Sequence, residues 1–289
     1  MAQVQIITPS QALREFIRAF ECINAVPEAG DGFRSIWARP HVTIPIALGP
    51  ARTAYDYAQG RTLLVPEAVV VGTLTRRFAD VQLGERQRLF NIVFQPGGLY
   101  RLFGLPAGRL ADQAIGTREV LGSVICELAE QLRRADGTRA QVALAEAMLR
   151  PLAEQARPAD AVHVAASRQL AAHGALPITA LIAASGQGTR QFERRFLEHF
   201  GVSPKRFARI VRLNHALRLK NDERHLSWAV VGQMSGYFDQ NHLIKDFKAM
   251  TGQLPSHYAE QIGCDDATPM TSWPCSQQAV AHAGLFNPH

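Results

Sequence analysis

GYFDQNHLIKDFKAMTGQLPSHY, residues 236–258, decides the fold of this 289-residue chain, because an earlier stretch repeats its grammar. That stretch is GQGTRQFERRFLEHFGVSPKRF, residues 186–207. Phe192, Phe196, Gly201, Pro204 and Phe207 are matched 51 residues later by Leu243, Phe247, Gly252, Pro255 and Tyr258, and Arg194 by Lys245. Upstream, Ser185-Gly186 is matched by Ser235-Gly236 at an offset of 50, so the second turn is one residue longer. Apolar and backbone-special positions recurring in register mark an internal structural repeat.

Each copy follows one physical pattern. A short apolar helix (178–184, then 227–234) runs into Gly186 or Gly236, where positive φ allows a sharp turn. Thr189 and Asp239 are placed to cap a second helix. Phe192, Phe196 and Phe200 in one copy, and Leu243 and Phe247 in the other, lie four apart and predict a buried stripe. Gly201 and Gly252 end these helices, and Pro204 and Pro255 suit the first turn of the next. Two helices joined by a glycine turn make a helix-turn-helix. Between the copies, PKRFARIVRLNHALRLKNDE predicts one long helix that fixes the spacing of the two units. To enter successive major-groove segments the units must lie roughly 34 Å apart.

The outward faces carry the chemistry. Arg190, Glu193 and Arg194 share one face of the first unit's second helix; Gln240, Asn241, Ile244 and Lys245 share the corresponding face of the second. Arg donates two hydrogen bonds to guanine, and Asn or Gln pairs with adenine, so these seven are the candidate base readers. A solvated face is the alternative for any one helix, but two copies in register beside a basic cluster favour reading. Residues 190–224 hold ten basic and four acidic side chains, and 158–261 carry a net +5 against +3 for the longer 1–157. Such clustering is the footprint of a polyanionic partner. Lys205, Arg206 and Arg209 are candidate phosphate contacts, whereas Arg212 and Arg218 read as solvated.

The first half is mixed. Residues 10–21, SQALREFIRAFE, predict a short helix. FRSIWA, HVTIPIALG, TLLVP, AVVVGTLT and RLFNIVF predict strands between about 33 and 94, with Pro45 marking an edge or a break. Two amphipathic helices should follow, the first opened by Thr117 and stopped at Gly137, the second opened by Thr138. PGGLYRLFG, from Pro96, is either an anion site at a helix N-terminus or a tight strand-to-helix turn, with the turn preferred. His41, Trp37, Tyr55 and Tyr57 become pocket candidates only if the strands close around a cavity; otherwise they are core or surface. A boundary falls near Ala156-Arg157-Pro158, where strand propensity ends.

Other classes fall away. With 47% hydrophobic and 19% charged residues the chain can bury cores. It has no 18-residue apolar run and no apolar N-terminal stretch, so a cytoplasmic protein without a membrane partner is expected. Cys22, Cys126, Cys264 and Cys275 form no CxxC pair, and the ten histidines show no metal-ligand spacing. Without a GxSxG, a Walker loop or a GxGxxG after a strand, no catalytic residue, cofactor or metal is expected.

Residues 160–261 resemble the C-terminal DNA-binding domain of AraC/XylS-family bacterial transcription regulators, most specifically through residues 236–258 and through GTRQFERRF and GVSPKRF. The resemblance implies two helix-turn-helix units bridged by a long helix, and base-reading roles for the seven residues named above. Two departures stand at the small residue usual four before the turn glycine: Ile182 in the first unit and Gly232 in the second. FNIVFQPGGLYRLFGLPAGRLAD, residues 90–112, is similar, more loosely, to a run found ahead of the same domain in a group of such regulators. The expectation is an α+β chain. It has a mixed strand/helix sensor domain (1–157), folding independently and controlling an all-α DNA-binding domain (158–261), and a disordered tail (262–289). Expected partners are double-stranded promoter DNA, RNA polymerase, a small-molecule effector and a second copy of the chain. An enzyme or small-molecule binder using the module as a DNA tether is the alternative. An architectural DNA-binding protein would have no need of the large N-terminal part.

Overall fold

A computed structural model describes residues 3–26, 32–83 and 86–262; the expectation for the tail lies, from residue 263 on, outside the described residues. The chain is α+β, strand-rich to residue 116 and helical beyond. The strands are β1 (Gln3–Ile7), β2 (Ile17–Ala25), β3 (Phe33–Ile36), β4 (Thr43–Ala47), β5 (Arg52–Asp56), β6 (Arg61–Val65), β7 (Val69–Val71), β8 (Ala79–Gln82), β9 (Gln87–Phe94) and β10 (Ala114–Gly116). They form two antiparallel sheets, ordered β1-β2-β9-β4-β7-β10 and β3-β8-β5-β6.

The larger sheet is covered on both faces. Phe20, Ile44, Ile46, Phe90, Ile92 and Phe94 point to one side. They pack there against α1 (Gly98–Phe103), α3 (Val124–Arg134) and α4 (Gly137–Glu154) through Leu99, Ile125, Leu128, Leu132 and Leu149. Ile23, Ala47 and Leu89 point to the other side and meet Val81 and Ala54 of the smaller sheet. The two sheets enclose a cavity of about 210 Å³ lined in part by Pro45, Leu63, Val65 and Asn91. The apolar faces of α3 and α4 thus complete the N-terminal core.

Several sequence expectations are corrected. Residues 11–16 form turns, and Ile17 opens β2, an interior strand paired with β1 and β9. Nearly every β2 residue is buried, so the alternation that marks a one-sided strand is absent, and Phe16, Ile17 and Phe20 imitate a helical stripe. Pro45 lies in an interior strand, yet its ladder is interrupted: β4 pairs fully with β9 but meets β7 only at Thr43–Val71. The first amphipathic helix is split at Gly122 (φ 72°) into α2 (Thr117–Leu121) and α3, and Gly137 opens α4 instead of stopping its predecessor.

The helical part comprises α5 (Ala161–Ala171), α6 (Ile178–Ser185), α7 (Thr189–Phe200), α8 (Pro204–Asp222), α9 (Trp228–Met234), α10 (Gln240–Thr251) and α11 (Pro255–Ile262). It has two cores, one per repeat. Phe192, Phe196, Phe200 and Phe207 gather with Val162 and Leu181; Leu243, Phe247, Met250 and Tyr258 gather with Leu213 and Val231. The second core is completed from outside, by Trp37 and Ala38 just after β3. Trp37 lies 5.5 Å from the Tyr258 ring, the Ala38 amide donates to Met250 O (3.3 Å), and Asn214 Nδ2 donates to Ala38 O (3.0 Å). The strand-rich part and the second unit therefore share a core.

Candidate nucleic-acid interface

Gly186 (φ 65°) ends α6 and Gly236 (φ 76°) follows α9, each in the left-handed backbone that lets glycine turn the chain into the next helix. Asp239 caps α10, accepting from the His242 amide at 2.7 Å. In the first unit the cap position is Gly188, and Thr189 is the first helical residue with no capping bond. Ser203 accepts from the Arg206 amide (3.3 Å) and opens α8 ahead of Pro204. Ile182 is half-buried against the first core. At Gly232 an added Cβ would come 3.2 Å from Leu243 Cδ2, so the missing side chain lets α9 sit close on α10.

On this frame α7 and α10 bury one face and expose the other. Arg190, Glu193 and Arg194 are exposed on α7, opposite the fully buried Phe192 and Phe196. Gln240, Asn241 and Lys245 are exposed on α10 and Ile244 is half-buried, opposite Leu243 and Phe247. Each unit thus gathers its own candidate readers on one helix face.

The candidate phosphate contacts differ among themselves. Lys205 is exposed. Arg206 Nη2 donates to Thr75 Oγ1 of the strand-rich part (2.8 Å), and that hydroxyl donates to Asp112 (2.5 Å). Arg209 donates to Asp246, which is fully buried in α10, with bonds of 2.5, 3.2 and 3.3 Å. That pairing holds its guanidinium above the ordinary Arg value and ties the bridging helix to the second unit. Arg212 and Arg218, read as solvated, are half-buried. Arg212 donates to Gly174 O (2.9 Å) and covers the Tyr237 ring, while Arg218 lines a cavity.

That cavity, about 270 Å³, lies between the two halves. Trp37, Arg39 and His41 contribute from one side, with Arg18 of β2; Asn214 and Arg218 of α8 contribute from the other. Burial, together with Arg18, Arg218 and Arg39, holds His41 well below the usual imidazole value. Tyr57 is engaged elsewhere: it donates to Asp80 (2.7 Å), packs edge-on to Tyr55 and lies under Arg77.

The glycine run is a close-packed corner. A Cβ on Gly97 would fall 2.0 Å from the His163 ring, and one on Gly98 2.0 Å from Phe16 O, while the Gly98 amide donates to Gln95 O (2.9 Å) within the turn. The same corner holds a cluster that linear spacing conceals. Asp160, which caps α5, lies 2.7 Å from His163 Nδ1, and His163 Nε2 lies 3.2 Å from His199 Nδ1 of α7. Arg195 binds the other Asp160 oxygen at 2.5 Å. Burial holds both imidazoles below their ordinary value. The three residues have metal-ligand chemistry, but here they and Arg195 satisfy one another. His163 and His199 stand 36 residues apart, a separation no metal motif would flag.

Among the described residues no helix is long and apolar enough to cross a membrane. Residues 181–261 match the family model of a helix-turn-helix domain, and residues 5–116 that of a domain of unknown function (DUF6597). No curated protein matches the chain. Among solved structures, ToxT from Vibrio cholerae O395 is similar at 9% identity, over 92% of this chain and 98% of that one, with a TM-score of 0.48. ToxT bound to (E)-4-(8-methylnaphthalen-1-yl)but-3-enoic acid is similar at 10% identity, over 91% and 98%, with a TM-score of 0.48. The AraC-like transcriptional activator CuxR follows at 12% identity, over 86% and 80%, with a TM-score of 0.25. The C-terminal part is an AraC-type helix-turn-helix domain, carried behind a strand-rich N-terminal domain.

Proposed function

We propose that the chain reads promoter DNA with both units at once, in two successive major-groove segments, under control of its N-terminal domain. The observation that carries this is the pair of exposed polar faces on α7 and α10, joined through one continuous helix, α8. Arg190, Glu193 and Arg194 read one segment; Gln240, Asn241, Ile244 and Lys245 read the other. Lys205, Arg206 and Arg209 hold phosphates, and Arg206 would leave Thr75 to do so. RNA polymerase is the partner that transcription control requires. A second copy of the chain is a further partner, read by comparing the mass of the DNA-bound and free protein.

The control reading is supported by the cavity at the seam. Arg18, Arg39 and Arg218 bring three guanidinium groups to it, and buried Glu21 is the carboxylate acting on Arg18 and Arg39. Arg39 Nε and His41 Nδ1 are buried there without hydrogen-bond partners. A small anionic effector seated among these groups would touch both halves. It would favour the docked state by its differential affinity for it.

The test is a footprint with the full chain, followed by two substitutions. Protection should cover two segments on one face of the duplex. Arg194→Ala should relax preference at one or two base pairs, costing about 1–3 kcal/mol at the specific site. Lys205→Ala should weaken all sequences alike and reduce the salt slope by about one. Uniform weakening by both substitutions would defeat the assignment of α7 as a reading helix.

A further inference from the structure

The one-residue insertion in the second turn has a structural outcome. In the first unit the residue before the α7 cap is Gln187, whose amide donates to Ser185 Oγ (3.1 Å) inside the turn. In the second unit Gly236 is followed by Tyr237 and Phe238 before the Asp239 cap. Tyr237 takes the inner place: it is 5% exposed, its amide donates to Gly232 O (3.0 Å), and its ring meets His242 edge-on. Phe238 is left outside and is 94% exposed.

An apolar residue just before a helix cap ordinarily packs on the fourth residue of that helix. Here that residue is Leu243, already fully buried in the second core. Phe238 therefore contributes nothing to folding, and its exposed phenyl ring forgoes the stabilisation that burial would give. Its place gives it another use. It stands one residue before the cap of α10, whose first two residues, Gln240 and Asn241, are candidate base readers. In a docked helix-turn-helix the N-terminal end of the second helix faces the base edges. The apolar group that the major groove offers there is the thymine C5-methyl, which phenyl rings contact.

We propose that Phe238 is a specificity-determining residue of the second unit, reading one thymine through its C5-methyl group. This rests on the reading of α10 as a base-contacting helix. It adds a second apolar element, beside Ile244, to a face whose other readers act by hydrogen bonds, and it is peculiar to the second unit.

The experiment uses the full chain on a site selected by the wild-type protein, with each thymine of the second half replaced in turn by deoxyuridine. That change removes one methyl and leaves base pairing intact. One position should lose about three- to fivefold in wild-type affinity, the worth of one buried methyl. Phe238→Ser should bind the thymine and uracil sites equally at that position and keep its other preferences. Phe238→Leu should retain part of the difference. Unfolding midpoints of both variants should match the wild type, as the exposure of Phe238 requires.

Four outcomes would overturn the proposal. One is a wild-type protein indifferent to every thymine methyl. Another is a thymine–uracil difference that survives in Phe238→Ser. A third is uniform weakening of Phe238→Ser on all sequences, which would make the ring a backbone contact. The last is unchanged DNA binding with lost transcriptional output, which would make Phe238 a protein-docking residue. Failure to select any site would defeat the function proposed above and this inference with it. A selected site without a methyl-sensitive position defeats this inference alone.

Discussion

Removing either partner of the Arg209–Asp246 pair should destabilise the protein by unequal amounts. Asp246 has no exposed surface, and its carboxylate accepts three contacts from Arg209, whereas the Arg209 side chain is 37% exposed. In Arg209→Met the carboxylate stays buried without its cation, and breaking a buried pair in that way costs about 3–5 kcal/mol. In Asp246→Ala the guanidinium can turn into water. Only the charge-assisted bonds are lost, and the cost should be about 2 kcal/mol. The double variant Arg209→Met/Asp246→Leu replaces the pair by apolar groups and should lie within about 1 kcal/mol of the wild type. Urea titration of the full chain reads this. Trp228, 5.2 Å from Phe247, reports on the same core by fluorescence. A costlier Asp246→Ala, or a double variant as unstable as Arg209→Met, would refute the reasoning. The double variant also isolates the DNA role of Arg209. If Arg209 contacts a phosphate, the salt slope falls by about one with stability intact; if it only ties α8 to α10, the slope is unchanged.

Two further outcomes follow from the seam between the halves. Trp37→Ala removes an almost fully buried side chain from the second core and should cost about 3–5 kcal/mol; it should also speed cleavage by a glutamate-specific protease after the exposed Glu154, and an unchanged cleavage rate would mean Trp37 does not hold the halves together. Burial depresses His163 and His199 below 6.5, so the unfolded chain binds their protons first; their contribution to stability is complete above pH 6.5 and is lost as pH falls through the folded values. His41, held well below the usual value, and His215, pushed down to about 4 by burial, His173 and Arg218, act in the same direction. His199→Phe should therefore flatten part of the decline in unfolding midpoint below pH 6.5, and a profile as steep as the wild type would contradict it.

The repeat was legible because it depends on local grammar. Gly186 and Gly236 are needed for positive φ, Asp239 for a cap, and Phe192, Phe196, Leu243 and Phe247 for one buried stripe. Each of those demands leaves its mark within a few residues. The strand-rich half was legible where strands are short and bounded by Gly or Pro, and illegible in β2, where burial on both faces erases the period of two. What was missed is long-range. No local pattern places Trp37 beside Tyr258, Asp160 beside His199, or Arg39 and Arg218 in one cavity. The change of composition at Arg157 suggested separate cores, since composition is blind to two residues borrowed across the boundary. Arg212 and Arg218 looked solvated for the same reason: Gly174, which accepts from Arg212, and the other walls of the cavity that Arg218 lines come from outside their own helix.

The claim that both units read bases is tested most directly by selecting binding sites from random DNA with the full chain, then repeating the selection with Arg194→Ala and with Asn241→Ala. Two blocks of preferred sequence should emerge, centred about 10–10.5 base pairs apart. Arg194→Ala should flatten one block and Asn241→Ala the other. A single block, or one substitution flattening both, would contradict the claim.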